Sequence, residues 1–374
     1  MNTKYFDYAS TCPIDLNVFE KMKPYFSEKF ANTSSMHSFG EKSKDEVENA
    51  REEILKKLNG INHKLIFTSG GTESNNLALK GIAESYKEKG NHILISKIEH
   101  DSILNSAKYL KLKGYDIEYI ENNSEGLIDL EDLNKKIRKD TILVSIIHGN
   151  NEIGTLQDLK KIGQICKEKK VFLHTDACQS FCKTEIDLIE QNIDLITINA
   201  HKIYGPKGIG AIIIKKNINL TPLFHGGGHE NNLRSGTLNV PGIIGLREAI
   251  KSLDKEELLR EKELRDYIFS EIENIPSIKI LGSKENRLVN NVCLLFENIE
   301  SESILLSLDL KGFYVSTGSA CLSNNNEKSH VVSALKILKN KKNGILRISL
   351  GKGNTLESTK ELINEIKKIN QKFD

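Results

Sequence analysis

Short apolar runs recur along the chain, each closed by polar or turn-forming residues: 65–67, 92–98, 116–121, 141–147, 171–173, 194–199 and 210–216. Between them, apolar residues fall at helical spacing, as with Val47, Ala50, Ile54 and Leu58, or Leu77, Leu79 and Ile82 after a start near Thr72. Residues 16–60 read as helical and polar, broken by a loop at 30–40 rich in Asn and Ser. Buried strands alternating with helices predict a mostly parallel sheet covered on both faces. Ligands of such sheets sit outside the carboxyl ends of the strands. The residues expected there are His100, Asn150, Asn151, Asp176, Gln179, His201 and Lys202.

The pattern then changes. A glycine-rich loop at 223–242 precedes helices at 247–253 and 256–275. Separated strands at 289–298 and 312–318, a helix and a strand at 344–351 follow. This predicts a large domain over 16–255 and a smaller α+β domain over 256–374, joined by the N-terminal segment 1–15.

A chain of 374 residues is long enough for two domains and a large core. With 38% hydrophobic and 28% charged residues it is not a disordered chain. The net charge of +2 gives no argument for nucleic acid or membrane as a partner. The first ten residues, MNTKYFDYAS, hold no signal-peptide core, and no run approaches a membrane span. The six cysteines are scattered without a CxxC pair, which predicts a reduced, cytoplasmic protein. Cys178 and Cys182, four apart, read as small core residues on a shared helix face rather than zinc ligands. His225 and His229 lack a third ligand, so no metal is expected.

Four features carry candidate chemistry. Asp176 and Lys202 close neighbouring buried strands. Pyridoxal phosphate needs a lysine for a Schiff base and an acid beside its pyridinium nitrogen; a structural Asp and a solvated Lys are the alternative. Ser69-Gly70-Gly71 turns a strand into a helix, which offers amides to a phosphate or is a plain helix start capped by Ser69 or Thr72. No Gly-Lys-Ser/Thr follows, so it is not a P-loop. Cys321 lies among small polar residues in TGSACLSNNNEKS, as a reactive thiol or a core one. Arg347, among apolar residues, requires an anion, either a structural carboxylate or a ligand.

The motifs TSGGTESNN, IEHDSI, HGNNEIGT, TDACQS, HKIYGPKGIG, HGGGHE with RSGTLNVPG, TGSACLS and LRISLG run in order between YFDYAST and Gly351. In that order the chain resembles the cysteine desulfurases of aminotransferase class V, the iron–sulfur and nitrogenase cluster type of pyridoxal-phosphate enzyme. The resemblance implies the PLP-transferase fold type I, α/β with a mostly parallel seven-stranded sheet in the large domain and a smaller α+β domain. It implies Lys202 as the Schiff-base lysine, Asp176 as partner of the pyridinium nitrogen, and His100 stacked on the ring and transferring protons. Asn151 and Gln179 would lie near the cofactor's phenolic oxygen and the substrate. Gly71, Thr72 and His201 would hold the phosphate, with Thr237 reaching in from the other subunit of a homodimer. Arg347, with Asn32 and Asn151, would bind the substrate carboxylate, and Cys321 would attack the substrate sulfur.

Three departures from the family pattern accompany these roles. Thr33 replaces a proline after Asn32, and Asn199 replaces a serine that contributes to phosphate binding. The chain also stops soon after its last helix, without the tail some relatives use to dock a scaffold. The activity implied is L-cysteine to L-alanine, with a persulfide left on Cys321. The sulfur would pass to an acceptor protein, an iron–sulfur scaffold or a tRNA-thiolation enzyme, with thiamine synthesis also open. Selenocysteine lyases and cysteine sulfinate desulfinases share the cofactor machinery, and Cys321 in its Ser-Ala-Cys loop favours the desulfurase. A sulfur-carrier subunit with a degenerate site is disfavoured by the presence of Lys202, Asp176, His100 and Cys321.

Overall fold

A computed structural model describes residues 2–318, 329–337 and 343–373. The apolar runs become strands β1 (His63–Thr68), β2 (His92–Ser96), β3 (Asp116–Ile120), β4 (Thr141–Ile147), β5 (Phe172–Asp176), β6 (Leu195–Asn199) and β7 (Gly210–Lys215). They form one sheet in the order β1-β7-β6-β5-β4-β2-β3. β7 runs antiparallel to β1 and β6, and the other neighbouring pairs are parallel. Successive residues point to opposite faces, so each strand feeds two cores. Leu65, Phe67, Val144, Ile146, Ile196 and Ile198 pack toward helices Ser38–Lys57, Leu159–Lys169 and Val240–Lys251. Ile66, Ile93, Ile95, Leu143, Leu195 and Ile212 pack toward helices Gly71–Ser85 and Asp101–Leu112.

A second sheet of β8 (Ile278–Ile280), β9 (Asn291–Phe296) and β10 (Gly344–Ser349) is antiparallel, in the order β10-β9-β8. One face, through Val292, Leu294, Phe296, Leu346 and Ile348, packs on helices Lys255–Ile272, Ser301–Asp309 and Leu356–Phe373. The other, through Cys293, Leu295 and Ile345, packs with Ile98, Ile147 and Ile153 from the strand ends of the large sheet. Burial of that cluster joins the two sheets where the large one presents its ligand-binding edge.

Several local expectations are corrected. The run 92–98 ends as a strand at Ser96, and His100 is the N-cap of Asp101–Leu112, its Nδ1 facing the Ser102 amide at 3.1 Å. Residues 312–318 form no strand. Tyr314 and Ser316 make single bridges, to Tyr5 and to Arg347, because the segment divides its pairing between the N-terminal chain and β10 instead of lying along either. The glycine-rich loop ends earlier than 242, since Asn239 caps a helix that begins at Val240 with Pro241 in its first turn. β8 was not anticipated, being only three residues long. Cys178 and Cys182 share no helix face: they lie in turns, and Cys182 has φ 62°.

The glycine-rich loop is fixed to the large sheet by one buried ion pair. Glu230 accepts from Arg51 Nη2 at 2.8 Å and Nη1 at 2.9 Å, and from the Phe67 amide at 2.7 Å. The Glu230 and Arg51 side chains are 1% and 13% exposed. Without Glu230 the mostly buried Arg51 guanidinium would be left with the exposed Glu48 carboxylate as its counter-charge. Glu230→Ala is therefore expected to lower stability by about 3 kcal/mol, read from chemical denaturation. A loss below about 1 kcal/mol, the range of exposed pairs, would show that the pair is not holding the loop.

Candidate active site

One cavity lies at the carboxyl ends of β4, β5 and β6, lined by Gly71, Thr72, His100, Asn151, Asp176, Gln179, Asn199, His201, Lys202 and Arg347. These ten residues come from the strand ends, two helix starts and the second sheet. Two of the residues expected to act with them are not brought there by this chain. Asn32 is exposed, its Oδ1 accepting from the Ser34 amide at 2.9 Å, and Thr237 is exposed on the glycine-rich loop. Cys321 lies outside the described residues.

Asp176 ends β5, where parallel pairing with β4 and β6 fixes its backbone. Its Oδ2 accepts from Asn75 Nδ2 at 2.7 Å and its Oδ1 from the Cys178 amide at 2.9 Å. Lys202 follows β6. Its Nζ donates to the carbonyl oxygens of Ala9 and of Ser10, the latter at 2.6 Å. Burial drives the Lys202 amine down to about 8, and the nearby Arg347 charge pushes in the same direction. Burial, then the Lys202 charge, holds His201 down to about 4. Its Nδ1 faces Thr11 Oγ1 at 3.2 Å.

Ser69 and Thr72 do not cap the helix. Gly70 is the N-cap, at φ 152°, with no side-chain hydrogen bond, and the Ser69 amide donates to Glu73 Oε2 at 2.8 Å. A Cβ on Gly71 would meet Cys178 Sγ at 2.6 Å, so glycine there admits the close approach of the β5 turn. The helix's first amide–carbonyl bond joins Ser74 to Gly70, which leaves the amides of Gly71 and Thr72 outside the helical ladder beside the cavity.

Arg347, in β10, is 2% exposed. Its Nη2 donates to Asp7 Oδ1 at 2.7 Å and Ser10 Oγ at 2.8 Å, and its Nη1 to the Asn151 carbonyl at 3.1 Å. The structural carboxylate is thus present, while Nε has no partner among the described residues. Asn199 Oδ1 is likewise buried without a partner. A half-buried amine with no carboxylate partner among the described residues, open helix amides and unpaired polar atoms at one cavity fit a phosphorylated, polar cofactor.

Sequence reasoning missed Asp7, Ser10, Asn75 and Glu99, which all belong to the site or its immediate support. Asp7 and Asn75 stand within quoted motifs, but only the fold brings them to Arg347 and Asp176. Glu99 is fully buried and its carboxyl is driven up to about 8 by burial, with Asp176 adding to the rise. Cys178 lines the cavity as well, its thiol raised well above the ordinary range by burial and then by Asp176.

Comparison with known proteins agrees with this geometry. The aminotransferase class-V family model matches residues 4–362. A protein of Dictyoglomus turgidum named cysteine desulfurase IscS is 45% identical over 374 residues, covering 99% of this chain and 95% of the relative. Among solved structures, a NifS-like protein superposes with TM-score 0.90 at 35% identity, over 98% of this chain and 99% of that one. Another, SspA in complex with cysteine, gives TM-score 0.84 at 37% identity, over 94% of this chain and 100% of that one. The chain belongs to the class-V aminotransferase family, with that family's α/β fold.

The Lys202 amine offers a test of the cavity's electrostatics. Its charged form is disfavoured, so the neutral nucleophile should accumulate as pH rises through about 8. In protein freed of bound small molecules, competitive acylation read by peptide mass spectrometry should place its midpoint there. Arg347→Leu should move the midpoint upward, by removing the neighbouring positive charge. A midpoint in the range of an exposed lysine would refute this account.

Proposed function

We infer that the protein is a cysteine desulfurase. It is a pyridoxal-phosphate enzyme that converts L-cysteine to L-alanine and passes the sulfur on. The observation that carries this reading is a half-buried lysine amine with no carboxylate partner among the described residues, set in one cavity with Asp176 and a buried arginine. Nothing in that set specifies selenium or a sulfinate, and Cys321 in its Ser-Ala-Cys sequence favours sulfur transfer.

In this proposal the phosphate is held by the amides of Gly71 and Thr72, with His201 and Asn199 beside them and Thr237 contributed by a second subunit. Lys202 is the point of covalent attachment and Asp176 faces the ring nitrogen. His100 covers the ring, and Asn151 and Gln179 flank its polar edge. When bound, the cofactor supplies an electron sink for the substrate's α-carbon. Lys202, neutral in good part near pH 8, takes the α-proton. Arg347 orients the substrate carboxylate through its Nε, helped by Asn151, with Asn32 joining them only if its loop is carried to the cavity on substrate binding or dimerisation. The Cys321 thiolate attacks the substrate sulfur, so an S–S bond forms as the C–S bond breaks; proton return to carbon releases alanine.

Further parts of the proposal concern organisation. The large domain is 16–255, and the small domain is 256–374 with 1–15. A homodimer is supported by exposed Leu16, Phe26, Phe30 and Met36 on one stretch of chain, apolar side chains of the kind a partner covers. Free thiols at Cys12, Cys166, Cys178, Cys182 and Cys293 fit a reducing cytoplasm. Among the described residues no helix is long and apolar enough to cross a membrane. The acceptor is a protein thiol of an iron–sulfur scaffold or a tRNA-thiolation enzyme, reached without direct nucleic-acid binding.

Cys321→Ser should still bind cofactor and cysteine, because Lys202, Asp176 and Arg347 remain. Alanine formed in a single turnover should fall by roughly four orders of magnitude, and mass spectrometry should find no added sulfur. Near-normal alanine release, or sulfane sulfur on Cys178 or Cys293, would name another nucleophile.

Mixed dimers test the shared site. A Thr237-defective chain paired with a Lys202-defective one leaves one site with both lesions and one with neither. Partial activity should return in verified mixed dimers, and none would be recovered if each chain built its own site.

A further inference from the structure

The strongest unassigned feature is a line of buried polar groups running from Asp176 to His100. Asn75 is 1% exposed, on the helix Gly71–Ser85. Its Nδ2 lies 2.7 Å from Asp176 Oδ2 and 2.8 Å from Ser102 Oγ. Ser102 Oγ in turn lies 2.8 Å from His100 Nδ1, and the Ser102 amide donates to the same Nδ1 at 3.1 Å.

The direction of each bond follows from the chemistry at its ends. A carboxylate oxygen only accepts, so the atom of Asn75 facing Asp176 is the amide nitrogen; the reversed amide would set oxygen against oxygen. That orientation leaves Asn75 Oδ1 buried without a partner, a cost the fold accepts at this position. The second Nδ2 hydrogen is then donated to Ser102 Oγ, whose own proton is left to point at His100 Nδ1. Two donors, a hydroxyl and a backbone amide, converge on Nδ1. In the neutral ring the proton must therefore sit on Nε2, the edge left for the cavity that His100 lines.

We propose that Asn75 and Ser102 are positioning residues that carry the orientation of Asp176 to His100 and fix its ring as a hydrogen donor through Nε2. This rests on the desulfurase reading and refines it. His100 enters the reaction as the group that gives a proton or hydrogen bond, and Lys202 as the group that takes one. The pair of side chains also ties the residue facing the ring nitrogen to the residue covering the ring, through two hydrogen bonds on Asn75 and one on Ser102. Neither Asn75 nor Ser102 needs to touch the substrate.

The test uses the purified enzyme with ¹⁵N-labelled histidine, the His100 signals being assigned by their loss in His100→Gln. Wild type should show Nδ1 unprotonated and accepting, with Nε2 protonated. Ser102→Ala and Asn75→Ala should each introduce a population with the proton on Nδ1. Each should lower kcat by about five- to tenfold, the worth of one hydrogen bond, with the KM for cysteine within about twofold. Ser102→Thr, which keeps the hydroxyl, should recover both the tautomer and most of kcat. A wild-type His100 protonated on Nδ1 would overturn the proposal. So would a Ser102→Ala enzyme with unchanged tautomer and kcat, or variants in which kcat and cofactor content fall together while the tautomer stays. A wild-type protein that released no alanine from cysteine would overturn the functional reading instead, and the tautomer measurement would still decide the hydrogen-bond assignment.

Discussion

A buried and a half-buried cation meet over residues 7–10, and the arrangement of the site depends on that meeting. Lys202 arrives from the end of β6 and Arg347 from β10, so one belongs to each sheet. Asp7 supplies a counter-charge to Arg347, while Lys202 finds only the carbonyl oxygens of Ala9 and Ser10. Carbonyl dipoles satisfy the amine's hydrogens without replacing the hydration of its charge, and its proton is held less tightly for that reason. The same short stretch thus gives one cation a carboxylate partner and leaves the other easily neutralised.

That stretch is itself held by both sheets. The Phe6 amide donates to the Tyr314 carbonyl, the Ser349 amide to the Phe6 carbonyl, and the Ala9 amide to Ser349 Oγ, each at 2.8 Å. On the other side, the Cys12 amide donates to the His201 carbonyl at 2.8 Å and Gln179 Nε2 to the Ala9 carbonyl at 2.8 Å. The N-terminal segment is therefore also a seam, bonded to both sheets. A seam at the strand ends places substrate-facing groups from both sheets around one cavity, and any shift between the sheets alters the spacing of Lys202 and Arg347.

Burial shapes the charge around the cavity. It drives the Glu99 carboxyl up, with Asp176 adding to the rise, and it also raises Glu152, against the pull of the Ser329 hydroxyl at 2.5 Å. Asp176 receives two N–H donors, from Asn75 and from the Cys178 backbone, which hold its carboxyl plane against the cavity.

By itself the sequence determined the strand–helix alternation, since period-two and period-3.6 burial leave a direct mark on the order of apolar residues. It also determined the set of polar residues at the strand ends, because a buried strand that stops at Asp176 or Asn199 must present that residue at the sheet's edge. It carried the family through eight motifs whose spacing is local. It could not decide the partners of Arg347, where both a structural carboxylate and a ligand remained open. The Asp7–Arg347 contact spans 340 residues, and no local pattern encodes it. Nor could it decide that 312–318 divides its pairing between the N-terminal chain and β10, because a lone run of alternating residues does not name its neighbour. The Asn75 amide and the Ser102 hydroxyl look ordinary in the chain, and His100 stands out there without its partners. Only packing helix Gly71–Ser85 and helix Asp101–Leu112 side by side on one face of the large sheet sets them in line with Asp176, because hydrogen-bond direction depends on which atoms meet in space.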